Sequence, residues 1–352
     1  MPIEPTRRGA ALALGLLLGL PAAARADVCP PVDTSVDCYD GHHNVVAHGE
    51  LRTYLLVTNP GTGDSRASYV CSAGKEEVKL QGWVFIPTGT PPAGGFPVII
   101  YNHGSEEDPG PKCSIARYFT GERRYIVFAP IRRGHSGSTG TYFERWADDK
   151  ADQSCPGFCG ADRNCCVRYW TVNYLKDQAN DVKHAYNYIQ NNYPKANDDK
   201  MSLMGHSFGG IVTLFTNAMD LGQRAAVDIA GGSQSWVKLD GEPFEYLQDE
   251  MKSAVDDAQR PVFFLQPKND VNTDPTIELS HRAGKNGMRY QAAIFPKVPQ
   301  SLLDPCPRED PNDPTRTLSC EDVAHGKFVT DDDHVQSWGK TAVDFLDRFG
   351  GK

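Results

Sequence analysis

Residues 200–210 of the chain are Lys200-Met201-Ser202-Leu203-Met204-Gly205-His206-Ser207-Phe208-Gly209-Gly210. The pattern predicts a short, largely apolar strand, then Gly-x-Ser-x-Gly, then a helix-compatible run. Glycine is expected two residues to either side of Ser207, because chain and helix crowd together at such a sharp turn. A Gly-x-Ser-x-Gly pentapeptide also occurs by chance as a simple turn. The flanking strand and helix favour a nucleophile elbow, in which the Ser207 hydroxyl stands above the edge of a sheet.

Further buried strands are predicted on both sides of this motif. Val98–Tyr101 and Tyr125–Ala129 are continuous apolar runs, as expected for strands covered on both faces of a parallel sheet. Other strands are predicted at residues 51–57, 78–86, 225–230, 261–266 and 289–295, and helices at 116–123, 177–191, 278–285 and 335–349. This alternation predicts an α/β fold with a mostly parallel central sheet flanked by helices.

The alternation is interrupted in three places, and no linker or internal repeat divides the chain. Insertions are predicted near residues 138–170, 233–260 and 296–322, the last as a long loop rich in Pro and Asp. Such insertions at a sheet edge shape the pocket of a sheet enzyme. We therefore expect residues 27–352 to form one domain with insertions.

Three motifs together carry a family resemblance. They are Gly205-His206-Ser207-Phe208-Gly209, Tyr101-Asn102-His103-Gly104-Ser105 and Arg133-Gly134-His135-Ser136-Gly137-Ser138. With an acid and a histidine further along, they make the chain resemble the α/β-hydrolase family from about Leu80 to Phe349, specifically its serine esterase and dienelactone-hydrolase-like branch. Dienelactone hydrolases proper have cysteine at the elbow, so their substrate is not implied for Ser207.

The resemblance implies a triad in the chain order Ser, then Asp or Glu, then His. The acid belongs after a late strand, and Asp270 follows the predicted strand at 261–266 by a few residues. Asp274 is a nearby alternative, although a helix N-cap explains it equally well. By analogy with the family's spacing, Asp270 is the expected acid.

The base belongs between the last strand and the terminal helix, where His325 and His334 both fit. His325 is followed by Gly326 and resembles the family's histidine loop. His334 follows three aspartates where the terminal helix begins, which suits a surface role. His325 is therefore the expected base, and His206 is expected to be a packing neighbour rather than the base.

Acyl transfer also needs two N–H donors for the oxygen that becomes negatively charged. One is expected from the backbone of Phe208, the residue after the nucleophile. The other is expected from the loop after Val98–Tyr101, at Ser105, with Gly104 beside it as the alternative. A plain glycine turn between strand and helix would have the same sequence.

The N-terminus has the pattern of a secretory signal peptide. Arg7 and Arg8 precede an apolar run shorter than the ~20 residues of a membrane span, and Ala24-Arg25-Ala26 matches a signal-peptidase site. The sequence thus predicts a secreted or periplasmic protein, cleaved near Ala26 and without a membrane span.

The chain has a formal net charge of −9; residues 1–26 hold three Arg and one Glu, so the remainder carries −11. Such acidity argues against nucleic acid as a partner.

The chain contains ten cysteines, all after this cleavage site. An even count in an exported protein predicts disulfides. The alternative is a zinc cluster at residues 155–166, but adjacent cysteines without paired C-x2-C units have poor spacing for it. Connectivity does not follow from the spacing; Cys306–Cys320 and pairs within 155–166 are guesses.

The resulting hypothesis is an exported serine hydrolase that cleaves a small-molecule or polymeric carboxylic ester through an acyl-enzyme, with no metal or organic cofactor. A serine peptidase or an acyltransferase would use the same triad. A binding protein that has lost activity is a third alternative. The sequence does not define the substrate or the oligomeric state.

Overall fold

A computed structural model of the chain describes residues 35–39, 45–55, 79–237, 242–310 and 313–349. The expected signal peptide, Cys29 and Cys71 lie outside these residues. Among the helices described, none has the length and hydropathy needed to cross a membrane.

The strands were anticipated in most positions, with shifts of a few residues at their ends. In chain order they are β1 (Ser35–Tyr39), β2 (Val45–Leu55), β3 (Lys79–Phe85), β4 (Phe96–Asn102), β5 (Ile126–Ile131), β6 (Ala196–His206), β7 (Ala226–Ile229), β8 (Val262–Pro267), β9 (Tyr290–Phe295), β10 (Arg308–Asp310) and β11 (Asp313–Leu318).

The helices connect these strands. They are α1 (Cys113–Ala116), α2 (Phe143–Gln153), α3 (Arg163–Asn192), α4 (Phe208–Ala218), α5 (Glu245–Asp257), α6 (Asp274–Lys285), α7 (Gln300–Leu303), α8 (Cys320–Thr330) and α9 (Asp332–Phe349). A π-helical segment, Arg117–Glu122, continues α1.

The described strands form one sheet of nine, in the order β1-β2-β3-β5-β4-β6-β7-β8-β9, and β10 and β11 form a separate hairpin. The pairs from β5 through β9 are parallel, and β1, β2 and β3 extend the sheet in antiparallel fashion. The mostly parallel sheet flanked by helices is therefore confirmed. Parallel pairing brings the carboxyl ends of β4 to β9 to one edge, where the loops after them meet.

Apolar side chains alternate between two cores, one on each face of the sheet. Val98 and Ile100 of β4 pack with helices α3 to α6, whereas Ile99 and Tyr101 pack with α1, α8 and α9. Because a strand places successive side chains on opposite faces, a continuous apolar run is needed where helices cover both faces.

Three details differ from the sequence-based expectations. Helix α3 begins at Arg163 rather than at Asp177 and is 30 residues long, because Asp162 caps it and accepts hydrogen bonds from the Asn164 and Cys165 N–H groups. The expected long loop at 296–322 contains α7 and the β10–β11 hairpin. The expected histidine loop is wrong: His325 lies within α8, which starts with a capping box between Ser319 and Asp322.

Four disulfides lie within the described residues, which confirms the expectation of disulfides. They are Cys38–Cys113, Cys155–Cys166, Cys159–Cys165 and Cys306–Cys320. The last joins α8 at its first residue to the segment after α7. The sulfur atoms of Cys155, Cys159 and Cys166 lie close enough to hold a metal ion, but each belongs to a disulfide and is not a thiolate.

Candidate active site

Ser207 lies between β6 and α4, at the edge where the parallel strands end. It has a φ of +56° and a ψ of −123°, in the region that residues with a Cβ rarely adopt. Its N–H donates to the Ile229 carbonyl at 2.9 Å, and only 7 % of the residue is exposed. The strand, turn and helix expected around Ser207 are thus present.

The two glycines of the motif are required by close backbone packing. A Cβ on Gly205 would lie 2.1 Å from the Gly209 carbonyl oxygen, and a Cβ on Gly209 would lie 2.1 Å from that of Asn102. Atoms cannot approach so closely without backbone movement. The absence of both side chains therefore lets α4 start directly against β4 and β6.

Asp270 and His325 meet at the same edge of the sheet. Nδ1 of His325 lies 2.9 Å from Oδ1 and 3.0 Å from Oδ2 of Asp270. The carboxylate also accepts hydrogen bonds from the Ser233 hydroxyl at 2.5 Å and from the Val271 N–H at 2.7 Å. Both side chains are buried, so the imidazole is held with Nδ1 on the carboxylate and Nε2 directed away from it.

The same contacts determine the charge of Asp270. Burial by itself would raise the pKa of this carboxyl group, but the charge and hydrogen bond of His325 lower the pKa below its ordinary value. The hydrogen bonds from Ser233 and Val271 act in the same direction. Asp270 is therefore ionised at neutral pH.

The other nitrogen of His325 is free. Its Nε2 is buried and has no hydrogen-bond partner among the described residues, so it is not bonded to Ser207 Oγ. The two regions nevertheless touch, because Nε2 of His206 donates to the His325 carbonyl at 3.1 Å and the two rings lie 4.5 Å apart. Catalytic hydrogen bonds are often long until a substrate is bound.

The ring of His206 packs against that of His325 and is itself uncharged. Burial and, to a smaller extent, the charge of the nearby His325 lower the pKa of His206 to about 3. A neutral imidazole with its proton on Nε2 fits the hydrogen bond to the His325 carbonyl. His206 thus positions α8 against β6 without adding a charge beside Ser207.

The two expected N–H donors flank Ser207. Phe208 is the first residue of α4, so its N–H has no partner within the helix. Gly104 and Ser105 follow β4, and a Cβ built on Gly104 would lie 3.4 Å from the Ser207 Cβ. The loop after β4 therefore lies against the serine at Gly104.

The alternative residues lie elsewhere. Asp274 is exposed at the start of α6, where its N–H donates to the Asn272 side chain at 2.8 Å. His334 is in the first turn of α9, with its ring 6.2 Å from that of Phe328. The structure brings Asp270 and His325 together and pairs neither Asp274 nor His334 with them.

Sequence reasoning missed three residues that hold this site. They are Ser233, which donates to Asp270; Arg132, whose guanidinium binds the loop after β4; and Tyr142, whose hydroxyl donates to the Ser105 carbonyl. A charged residue directly after a buried strand was a usable signal for Arg132. Ser233 and Tyr142 have no comparable local signal.

Two cavities border the site. One has a volume of about 200 Å³ and is mainly apolar, with Phe208 and Ile211 of α4 and Leu175 of α3 in its wall. The other, about 820 Å³, is lined by Ser105 and Tyr142 and by carboxylates. The acidic residues of this second cavity are Glu106, Glu107, Asp108, Glu144 and Asp310.

Comparisons with known proteins agree with this architecture. A family profile described as PGAP1-like alpha/beta domain matches residues 128–229. A comparison with curated protein sequences found no significant match.

Two solved structures are similar in fold. An acylaminoacyl peptidase from Pyrococcus horikoshii superposes with a TM-score of 0.53 at 14% identity, over 86% of this chain but only 42% of the peptidase. An esterase from Pyrococcus furiosus superposes with a TM-score of 0.50 at 14% identity, over 86% of this chain and 92% of the esterase. At such low identity the likeness concerns the fold, and the chain has the α/β-hydrolase fold.

Proposed function

We propose that the protein is a serine hydrolase that cleaves carboxylic esters through an acyl-enzyme. The observation that carries the proposal is the buried pair of Asp270 and His325 beside the strained Ser207, with Nε2 of His325 left free. A nucleophile, a base and an orienting carboxylate are the groups that acyl transfer needs.

In the proposed mechanism Ser207 Oγ attacks the ester carbonyl carbon while Nε2 of His325 accepts its proton. Asp270 keeps Nδ1 protonated and stabilises the imidazolium that forms. The N–H groups of Phe208 and Ser105 bind the negative oxygen of the tetrahedral intermediate. His325 returns the proton to the departing alcohol, and a water molecule activated by His325 then releases the acid.

The two cavities indicate the size of the acyl group and the charge of the ester that we propose as substrate. An apolar volume of about 200 Å³ beside Phe208 suits an acyl group of a few carbons or a single aromatic ring. The carboxylates of the larger cavity favour a neutral or cationic ester over an anionic one, since like charges repel at close range.

We also propose that the protein is exported. Four disulfides within the described residues support an oxidising compartment, where such bonds form and persist. Mass spectrometry of the protein from the exported fraction of a producing cell would test this, with an N-terminus near residue 27 as the expected result.

The activity is tested with p-nitrophenyl esters of increasing acyl length and with peptide anilides. We expect ester hydrolysis that falls by about 10⁵-fold or more in Ser207→Ala, because the nucleophile is lost. A fluorophosphonate probe should label the wild type and not the variant. Faster cleavage of anilides than of esters would indicate a peptidase, as in the fold relative from Pyrococcus horikoshii. A folded wild type without activity or label would indicate a binding protein.

A further inference from the structure

Arg132 follows β5 directly, and its guanidinium is completely buried. Nη1 donates to the His103 carbonyl at 2.5 Å, Nη2 to the Gly104 carbonyl at 2.8 Å, and Nε to the Gln178 side chain at 2.8 Å. Each of the three nitrogens thus has an acceptor, and two of these acceptors belong to the loop after β4.

A buried arginine without an ion pair calls for an explanation. Within the described ranges no carboxylate lies at ion-pair distance from Arg132, although the charges of Glu106 and Asp181 act on it from further away, whereas the neighbouring Arg133 pairs with Asp181 at 2.6 Å. Removing a charge from water is unfavourable, and uncharged acceptors together with two more distant carboxylates offset this only in part. An apolar side chain would fill the same space at a smaller cost, so stability alone is a poor reason for an arginine here.

The contact with Gly104 has a geometric consequence at Ser207. The peptide bond between Gly104 and Ser105 is trans, so its carbonyl and its N–H lie in one plane and point in opposite directions. Arg132 binds the carbonyl from one side of this peptide. The N–H of Ser105 is thereby directed to the other side, and the loop itself lies against the Ser207 Cβ.

Neighbouring contacts restrain the same loop. Nδ1 of His103 donates to the Gly104 carbonyl at 2.9 Å, and the Tyr142 hydroxyl donates to the Ser105 carbonyl. Three consecutive carbonyls, at residues 103, 104 and 105, are therefore held by side chains rather than by a strand or helix. Arg132 supplies the contacts to two of the three and carries the charge that polarises the Gly104–Ser105 peptide.

We propose that Arg132 is a positioning residue for the oxyanion hole: it binds the His103 and Gly104 carbonyls and thereby aims the Ser105 N–H at the reacting carbonyl oxygen. The inference rests on the proposed ester hydrolysis at Ser207. Arg132 does not touch the substrate and acts through the peptide that does. A donor that is already aimed needs no reorganisation as the negative charge develops.

The test compares Arg132→Met, which keeps much of the volume and removes the donors, with Arg132→Lys, which keeps the charge. The matched control is Arg133→Met, which removes an adjacent, partly buried arginine that binds Asp181 and not the loop. We expect Arg132→Met to lower kcat about 100-fold with KM changed by less than about threefold, because the lost contact acts in the transition state. Arg132→Lys should lose about tenfold, because its single nitrogen cannot hold both carbonyls as the guanidinium fork does.

A second readout separates positioning from general loosening of the fold. A trifluoromethyl ketone forms an adduct with serine that carries an oxyanion, whereas the corresponding alcohol binds without one. We expect the ketone to bind Arg132→Met weaker by the same factor as kcat falls, and the alcohol to bind unchanged. Arg133→Met is expected to lower thermal stability but to keep kcat and ketone affinity once folded.

Activity of Arg132→Met within threefold of wild type, or unchanged ketone affinity with reduced kcat, would overturn the inference while ester hydrolysis stands. If Arg132→Met does not fold, wild-type activity of Arg132→Lys would overturn it instead. A wild type that neither hydrolyses esters nor reacts with fluorophosphonate would remove the proposed function and this inference together.

Discussion

Ser207 has a backbone φ of +56°, a conformation that costs of order 1–3 kcal/mol for a residue with a Cβ. The strain persists because the surroundings leave no alternative. The Ser207 N–H is bound by Ile229, and Gly205 and Gly209 hold β6 and α4 in contact. These contacts restrain the backbone of Ser207 and so fix the position from which its hydroxyl extends.

Asp270 determines which nitrogen of the His325 imidazole carries the proton. We expect Asp270→Asn to lower kcat about 10³- to 10⁴-fold with little loss of stability, because an amide can donate to Nδ1 and so favour the wrong tautomer. Steady-state ester hydrolysis measures this change. Asp274→Asn, at the exposed start of α6, is the matched control and should keep full activity. An Asp270→Asn enzyme with more than a tenth of wild-type kcat would contradict the assigned role.

At the scale of elements, the site depends on how closely α4 approaches β4 and on where α8 carries His325. α4 contacts β4 through Gly209, which has the Asn102 and His103 carbonyls directly in front of its Cα. α8 is fixed at its start by the capping box at Ser319 and by the Cys306–Cys320 disulfide. Both helices thus meet the sheet edge with little freedom.

Two glycine substitutions compare α4, where backbone atoms crowd Gly209, with α8, where nothing crowds Gly326. Gly209→Ala should destabilise the protein by about 3 kcal/mol and reduce kcat, because its Cβ would lie 2.1 Å from the Asn102 carbonyl oxygen and 2.3 Å from that of His103, which belongs to the loop after β4. Gly326→Ala, on α8 with no atom within 4 Å of the added carbon, should stabilise by about 0.5–1 kcal/mol. Urea unfolding measures both. Equal effects of the two changes would show that the close contact at Gly209 is not maintained in solution.

At the scale of the whole molecule, the two cores enclose the sheet so completely that the carboxyl group of Asp228 lies in its interior, with no ion-pair partner among the described residues. Asp228, on β7, is 1 % exposed, and its Oδ1 accepts a hydrogen bond from the Gly231 N–H at 2.9 Å. Burial raises the pKa of Asp228 to about 7. The fold therefore favours the protonated form of this residue.

Stability should depend on pH through Asp228. A carboxyl group whose pKa is raised in the folded state contributes stability below its ordinary pKa and loses it as the pH rises through about 7. We expect Asp228→Asn to gain stability relative to wild type on going from pH 5 to pH 8, on the order of 2 kcal/mol. Urea unfolding at the two pH values measures it, with the exposed Asp199→Asn as control. Parallel pH profiles for Asp228→Asn and wild type would contradict the prediction.

Much of the architecture follows from local pattern. The apolar runs at Val98–Tyr101 and Tyr125–Ala129, and the glycine spacing around Ser207, were sufficient to predict a parallel sheet with a sharp turn into a helix. These features depend on neighbouring residues, since burial on both faces and backbone crowding act over a few positions. Asp270 and His325 were instead predicted from the order of the triad residues in the family that the chain resembles. That prediction depends on the resemblance and not on the local pattern of residues.

Longer-range features were not predictable in this way. The start of α3 at Arg163 and the helical setting of His325 both differ from the sequence-based expectation. Turn, loop and helix are all compatible with the polar, cysteine-rich segments before these helices, and the N-caps at Asp162 and Ser319 were not identified from the sequence.

The sequence by itself determined the class of fold and the serine at its turn, because periodicity and glycine spacing are properties of adjacent residues. Only the tertiary structure decided that Asp270, rather than Asp274, meets His325 across 55 positions of the chain, and that Arg132 binds the loop that precedes it by 28. Such contacts depend on which strand ends share an edge of the sheet, and that is settled by the packing of the whole chain.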